Sequence, residues 1–588
     1  MTNSQNYSEI FAKVNTPKDV KTLTVNEMNI LSEDIRKAII NKVDTIGGHL
    51  GPDLGIVEAT IAMHYVFNSP IDKFVFDVSH QIYPHKILTG RKDAFLNPLK
   101  HPEISGYSNS NESEHDNFII GHTSTSLSLS TGLAKARDLK GENYNVIALI
   151  GDGSLSGGEA FEGLSNAAIL NSNIIIVVND NTMSIAPVKG GIYNSLTKLR
   201  ESNGTSEENI FKSMGFDYYY EENGNDVSKL IELFKKVKDT NKPTVVHIHT
   251  LKGKGYEPAV EDKETYHWQM SGFVERYGKE QKMVESYTSI TNDYLIEKVK
   301  NDKNVMVISA ATPGATGLTK DVRALLGENY TDVGIAEQHA VGYASGLAAN
   351  GAKPVLEILS SFLQRSYDQL SQDLAINNAP ATILVYWGGI SNADVTHLQV
   401  FDIPLVSNIP NIVYLAPTNK EEYLAMLDWS IDQSKYPVAI RVPLSELVST
   451  NVVDNTDYSI LNKSKITCEG EKVAIIGVGN FYQLAEKVKD ILKSKLNIDA
   501  TLINPVYLTG LDEKMLEDLK SKHSLVVTLE DGCLDGGYGE KISRYYADSS
   551  MKVVNFGAKK EFTDRESNLY ERYHLTPELI FEDIKEYI

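Results

Sequence analysis

Short apolar runs recur along the chain. They are NVIALI ending at Ile150, NIIIVV at Val178, TVVHIH at His249, VMVIS at Ser309, ATILVY at Tyr386, NIVYLAP at Pro417, KVAIIG at Gly477 and SLVVTLE at Glu530. Repeatedly, such a run is followed by a small or polar turn and then by a segment of helical period. Runs apolar at consecutive positions read as strands buried on both faces. Strands of this kind alternating with helices predict an α/β protein of doubly wound, mostly parallel sheets. Two polar stretches read as connections, SGFVERYGKEQKMVES (271–286) and STNVVDNTDYSILNKSKITCEGE (449–471). Cutting there predicts three α/β domains at about 1–280, 285–450 and 465–588.

Composition narrows the class. The 588 residues are 41% hydrophobic and 23% charged, enough for large cores. A net charge of −21 argues against a nucleic-acid binder and against docking on anionic lipid. Two cysteines cannot build a disulfide framework, which fits a reducing cytoplasm. The opening MTNSQNYSEIFAKV lacks a basic stretch followed by an apolar one, so no signal peptide is expected. No run approaches 18 apolar residues, so no membrane span is expected. GVGNFY (477–482) lacks the third glycine of a dinucleotide fingerprint and reads as a turn. His247 and His249 lack two further ligands for zinc, and Cys533 has no evident base.

The sharpest chemical signal is IGDGSLSGGEAFEGLSNAAILNSNIIIVVNDN, from Ile150 to Asn181. One strand ends in Gly151-Asp152-Gly153 and the next in Asn179-Asp180-Asn181, one strand–helix–strand crossover apart. Parallel strands bring such loops together at their carboxyl ends, where ligands of open α/β sheets bind. A carboxylate with an amide carbonyl suits Mg²⁺, which takes further ligands from phosphate and water. The glycines let backbone N–H groups approach a phosphate. This arrangement resembles the thiamine diphosphate motif. A second signal is DVGIAEQHAVGYASGLAANG (332–351), which sets Glu337 and His339 at the start of a small-residue helix. A carboxyl there can share a proton with a ring nitrogen of an aminopyrimidine; alone, it reads as a first-turn acid favoured by the helix dipole.

Longer motifs carry a family resemblance. FDVSHQIYPHKILTGR (76–91), ESEHDNFIIGHTSTSLS (112–128), NDNTMSI (179–185), GIAEQHAV (334–341) and SFLQRSYDQ (361–369) resemble the 1-deoxy-D-xylulose-5-phosphate synthase family, of the wider transketolase group. The likeness runs over nearly the whole chain. It implies a homodimer using thiamine diphosphate and Mg²⁺ to join decarboxylated pyruvate to D-glyceraldehyde 3-phosphate. The first domain would bind pyrophosphate and the second pyrimidine. Matched position by position, the resemblance gives Mg²⁺ to Asp152, Asn181 and the Met183 carbonyl. It gives the diphosphate and thiazolium to Gly153, Ser154, His80, Gly121, His122 and Thr123, with Tyr256 near the cofactor. Phe362 would stack on the aminopyrimidine and Glu337 would activate it. His49, His267 and His397 would line the reacting carbonyls, and Asp394 would orient one of them or the acceptor hydroxyls. Arg365 and Arg441 remain as acceptor-binding arginines.

The departures concern the acceptor. Where the family has Asp-Arg-Ala-Gly, with an arginine for the acceptor phosphate, this chain has Tyr386-Trp387-Gly388-Gly389. A second phosphate arginine is replaced by Leu444 in RVPLS, a tyrosine by Leu359, and Asp53 adds an acid after GGHLG. A cation that usually precedes SESEHD is absent, and the segment after NDNTMSI is some thirty residues shorter than the family's. A phosphate dianion is normally gripped by bidentate arginines, each buried charge-assisted bond being worth about 1.5–3 kcal/mol. Three readings follow: a synthase with a rearranged phosphate site, a synthase-like or transketolase-type carboligase using a different aldehyde, phosphorylated or not, and a non-catalytic subunit of the same fold. The retained Asp152, Asn181, Glu337, His49 and His80 speak against the third.

Overall fold

The computed structural model describes residues 7–278 and 284–588, so the first expected boundary, at about 280, lies outside the described residues. The chain forms two compact units. One is Met1–Lys282 with Gly334–Ala336, and the other is Met283–Val333 with Glu337–Ile588.

The first unit is built on a five-stranded sheet in the order Lys73–Phe76, Val146–Gly151, Ile174–Asp180, Pro243–His249, Asp217–Glu221, all parallel. Its strands are apolar at successive positions because each face meets a separate core. Ile147, Leu149, Ile175 and Val177 point into one core. Ala148, Ile150, Ile174, Ile176 and Val178 point into the other. That is the doubly wound arrangement, and it leaves the strand ends as the place where polar loops gather. A short antiparallel pair, Gly48–His49 with Trp268–Gln269, joins two distant parts of this unit.

The second unit carries two sheets. The first has six parallel strands in the order Val413–Leu415, Val438–Arg441, Thr382–Tyr386, Lys353–Leu359, Val305–Ser309, Tyr330–Asp332. The other runs Lys465–Cys468, Thr501–Asn504, Lys472–Gly477, His523–Cys533, Lys552–Ala558, with only the first strand antiparallel. One core holds Ile308, Leu356 and Ile383 from the first of these sheets together with Ala474, Ile476, Ile503 and Val526 from the second. That shared apolar surface is why residues on both sides of the polar stretch 449–471 group as one unit. The stretch itself is no loose connection. Tyr458 is buried, its carbonyl accepts from the Tyr507 hydroxyl at 2.8 Å, and Lys465–Cys468 is an edge strand. Polar composition concealed it because an edge strand keeps one side in water. Among the described residues, no helix is long and apolar enough to cross a membrane.

One close approach positions the loops at the sheet's end. The crossover helix Gly158–Ala168 lies against Ser126–Lys140, and a Cβ at Gly163 would fall 2.7 Å from Leu127 Cβ and 3.0 Å from Ser128 N. Gly163→Ala is therefore expected to destabilise the protein by about 1–3 kcal/mol through overpacking, despite alanine's better helix propensity. A denaturant titration checks this, and a stabilised variant would refute the tight helix contact.

Candidate active site

The Gly151–Gly153 and Asn179–Asn181 loops close adjacent parallel strands, with Gly151 in register with Asn179. Asp152 is 1% exposed, and neither of its carboxylate oxygens has a hydrogen-bond partner. Burial, and then the neighbouring Asp180 carboxylate, push Asp152 well above the usual carboxylate range. Asp180 is compensated where Asp152 is not. It pairs with Arg200, and its Oδ2 lies 2.9 Å from His247 Nε2. His247 is fixed in turn by Tyr218 at 2.9 Å, and His249 pairs with Glu222, so both histidines have interior or surface partners. Asn181 Oδ1 accepts from Met183 N at 3.2 Å and has a second lone pair available. An unpartnered buried carboxylate on one loop and an amide oxygen on the loop of the adjacent strand fit a divalent cation completed by phosphate and water. Among the described residues no three His, Cys, Asp or Glu side chains group as a metal site.

The segment after Met183 braces these loops. It folds into the helix Gly191–Glu201. Its Tyr193 hydroxyl donates to the Asp152 and Gly153 carbonyls at 3.2 Å, and its Arg200 holds Asp180. Gly153 is needed here, because a Cβ would lie 3.0 Å from Ser184 Cα. Ser154 is buried, and its carbonyl accepts from Ser124 Oγ at 2.9 Å. The loop carrying Gly121, His122 and Thr123 is anchored by a residue the sequence reading passed over. Asp77 accepts Ser124 N at 2.8 Å and Ser126 N at 3.0 Å.

Three of the expected histidines meet in this unit. Ring centroids are 5.0 Å apart for His49 and His80, 5.3 Å for His49 and His267, and 5.1 Å for His80 and His267. Tyr107 stands 5.7 Å from His49. His80 follows two consecutive left-handed residues, Val78 at φ 48° and Ser79 at φ 60°. A β-branched residue in that region is strained by about 1–3 kcal/mol and persists only where its surroundings over-determine it. They do so here, because Ser79 Oγ donates to Ile120 O at 2.6 Å and accepts Ser108 N at 2.7 Å. Lys252, also passed over, donates to Ser184 O at 2.7 Å and lies 3.0 Å from His267 Nδ1. Burial lowers the Lys252 ammonium to about 7, and burial followed by Lys252 keeps His267 neutral. Tyr256 packs instead with Tyr266 and Phe273, at 5.7 and 5.8 Å. Asp53 is enclosed in the interior. It is 1% exposed, accepts Tyr83 N at 2.8 Å, and burial drives its pKa well up.

In the second unit, Glu337 opens the helix Glu337–Ala349 at 6% exposure. Burial raises its pKa, opposed by Arg365, whose Nη1 is 3.8 Å from Oε2. Phe362 lies edge-on to His397 with ring centroids 5.7 Å apart. Asp394 caps the turn Val395–His397, accepting Thr396 N at 3.0 Å. Trp387 is partly exposed and left-handed, at φ 62°. Arg441 corrects its expected role in binding acceptor. It is 3% exposed, donates from Nε to Asp402 Oδ2 at 2.7 Å and from Nη2 to Oδ1 at 3.1 Å, and pairs through Nη1 with Asp531. The guanidinium is consumed by an interior ion pair. Its partners lie 39 and 90 residues away in sequence, where no local pattern reveals them.

Comparison with known proteins matches these parts in order. Residues 11–209 and 203–250 match the family model described as 1-deoxy-D-xylulose-5-phosphate synthase. Residues 285–449 match the transketolase pyrimidine binding domain, and 462–580 the transketolase C-terminal domain. The chain is similar to the 1-deoxy-D-xylulose-5-phosphate synthase of Clostridium botulinum, 37% identical over 96% of this chain and 97% of that one. The enzyme of that name from Dictyoglomus thermophilum is 38% identical over 91% of each. The transketolase from Leishmania mexicana aligns over 96% of this chain and 97% of its own, at 15% identity and a TM-score of 0.43.

The unpartnered Asp152 carboxylate has a thermodynamic signature. Asp152→Asn should stabilise the ligand-free protein by about 1–3 kcal/mol at neutral pH. The folded pKa lies above the unfolded value near 3.8, so the wild-type penalty grows as pH rises past about 4, and the gain vanishes below it. The variant should also lose the melting-temperature rise given by Mg²⁺ with thiamine diphosphate. Thermal unfolding against pH, with and without ligand, checks both, and an unchanged ligand shift would remove Asp152 from the site.

Proposed function

The chain belongs to the 1-deoxy-D-xylulose-5-phosphate synthase family and is a thiamine diphosphate-dependent transferase, and we propose that its own residues serve that reaction, decarboxylating pyruvate and passing the two-carbon unit to D-glyceraldehyde 3-phosphate. The observation that carries this assignment of residues is the buried, unpartnered Asp152 carboxylate at the end of its strand. In this reading Asp152, Asn181 and the Met183 carbonyl hold Mg²⁺, and Gly153, Ser154, Gly121, His122 and Thr123 surround the diphosphate. Thiamine diphosphate, when bound, supplies the nucleophilic carbon and the electron sink for cleaving the donor.

The remaining steps fall to side chains. Burial raises the Glu337 pKa, which favours the protonated carboxyl, and in that form it can donate a hydrogen bond to a pyrimidine nitrogen. Phe362 offers the stacking face. Lys252 Nζ lies 3.0 Å from His267 Nδ1, and in its ammonium form it can only donate, which leaves Nδ1 as acceptor and puts the ring proton on Nε2. His267 is then a hydrogen-bond donor to negative charge developing on a substrate oxygen, and His49 and His80 extend that proton-handling surface. Arg365 is the cation we assign to the acceptor phosphate, since Arg441 is spent internally. Relatives matched over their full length carry the synthase name, which leaves the readings with a different acceptor or no catalysis without support. We further propose a cytoplasmic homodimer, for which the unpaired Cys468 and Cys533 fit a reducing compartment, and the division into domains 1–280, 285–450 and 465–588.

Two measurements test the assignment. Glu337→Gln should lower turnover of pyruvate with D-glyceraldehyde 3-phosphate by about 10²–10⁴-fold while leaving the melting temperature near that of the wild type. Undiminished turnover would remove Glu337 from its role. With pyruvate as donor, the wild type should prefer D-glyceraldehyde 3-phosphate to D-glyceraldehyde in kcat/KM, by about tenfold or more for one charge-assisted phosphate contact. Equal use of the two aldehydes would show that the phosphate site has been lost.

A further inference from the structure

The lip segment Val385–Asp402 contains no lysine or arginine of its own. A cation reaches it from the third sheet's side, carried on the loop after the strand Lys552–Ala558. Arg565, left-handed at φ 54°, donates its backbone N–H to Ala393 O at 2.9 Å. Its neighbour Asp564 accepts Val395 N at 3.4 Å through Oδ1, and the same oxygen accepts Arg565 Nε at 2.9 Å. Arg565 Nε also stands 3.9 Å from Asp394 Oδ2. The dipeptide therefore grips the backbone on both sides of Asp394 and places a guanidinium beside its carboxylate.

From Asp394 the contacts continue to a ring. Asp394 Oδ1 accepts the Thr396 hydroxyl at 2.8 Å, and Thr396 Oγ1 lies 2.9 Å from His397 Nδ1. A carboxylate accepts and never donates, so the single Thr396 hydroxyl proton is directed at Asp394. The Thr396 oxygen can then only accept from the ring, which places the His397 proton on Nδ1 and the lone pair on Nε2. This is the opposite tautomer from the one that an ammonium at Lys252 sets in His267. Burial lowers the His397 pKa to about 4, so the ring is neutral and the tautomer matters.

We infer that Asp564 and Arg565 form a positioning latch that acts through Asp394 and Thr396 to hold His397 as the Nδ1–H tautomer, presenting Nε2 as the proton acceptor for a hydroxyl of the aldehyde substrate. The inference rests on the reaction proposed above. Neither Asp564 nor Arg565 touches substrate in this account. They set the orientation and proton placement of the ring that does, and sequence distance hid them, since 169 residues separate Val395 from Asp564.

Steady-state kinetics of the full-length enzyme and ¹⁵N-histidine NMR test the latch together. Thr396→Val should raise the KM for D-glyceraldehyde 3-phosphate by about tenfold, with the pyruvate KM within about twofold of the wild type. Thr396→Ser, which keeps the hydroxyl, should restore the acceptor KM. Arg565→Gln should raise it by about two- to fivefold, the worth of one partly exposed ion pair. In the wild type, the His397 resonances, assigned by their loss in His397→Gln, should show the proton on Nδ1. An acceptor KM unchanged in Thr396→Val, or a wild-type ring protonated on Nε2, overturns the latch. Should Thr396→Val fail to fold, the wild-type spectrum and Arg565→Gln decide alone. A wild type that turns over no pyruvate would instead sink the proposed reaction and leave the tautomer to be read from the spectrum.

Discussion

A carboxylate taken out of water needs a proton, a cation or a set of donors, and neither buried oxygen of Asp152 has a hydrogen-bond partner. The contrast with Asp180 gives that lack its meaning. The two acids end adjacent strands and are equally enclosed. Asp180 is met by Arg200, His247 and the Thr182 N–H at 3.2 Å, while Asp152 lies beside the Asp180 carboxylate and has no side-chain partner of its own. A chain that can place an arginine and a histidine on one acid has the means to place them on its neighbour. The missing charge at Asp152 is thus the part of the structure that a ligand must complete, and the loops around it are held as though for that purpose. Tyr193 fixes the glycine loop by its carbonyls, leaving the carboxylate itself untouched.

The same economy appears in the backbone. Left-handed conformations at Val78 and Ser79 precede His80, and another at Trp387 opens the acceptor lip. Each costs about 1–3 kcal/mol; the first pair precedes His80, and Trp387 stands where the family resemblance places an acceptor arginine. The cost is carried by rigid neighbours: two fully buried sheet faces in the first unit, and in the second a core shared by two sheets. Strain concentrated at strand ends and stability concentrated in the strands is the division that an α/β scaffold permits.

How much of this was legible depended on the range of the interaction. The strands at Ile150 and Val178, and the Asp152 and Asn181 loops they end in, follow from local pattern plus one crossover rule. They lie together as that rule requires. The gathering of His49, His80 and His267 was readable only through resemblance, because the antiparallel pair of Gly48–His49 with Trp268–Gln269 has no local signature. Lys252 sits in a glycine-rich stretch that looks like an ordinary loop, and only its burial against His267 reveals it. Asp53 misled in the other direction. A new acid near a binding motif suggested repulsion, but its carboxyl is buried against the Tyr83 N–H and raised in pKa, which favours its neutral form.

The acceptor lip shows why substitutions at neighbouring positions should be read as one change. A Cβ at Gly388 would lie 2.7 Å from Arg441 Nε and 2.8 Å from Asp402 Oδ2, and one at Gly389 would lie 2.7 Å from Asp531 Oδ2. The alanine that the family resemblance places at 388 therefore cannot coexist with Arg441 in its present position. Glycine there lets the guanidinium sink between Asp402 and Asp531, which removes it from the acceptor side and fixes the turn from within. Trp387 then stands at the surface of a turn whose shape is set by an interior ion pair. Loss of the lip arginine, gain of glycine and burial of Arg441 are linked by one steric constraint. The remaining charge at the lip comes from elsewhere in the chain, with Arg365 beside Glu337 and Arg565 beside Asp394.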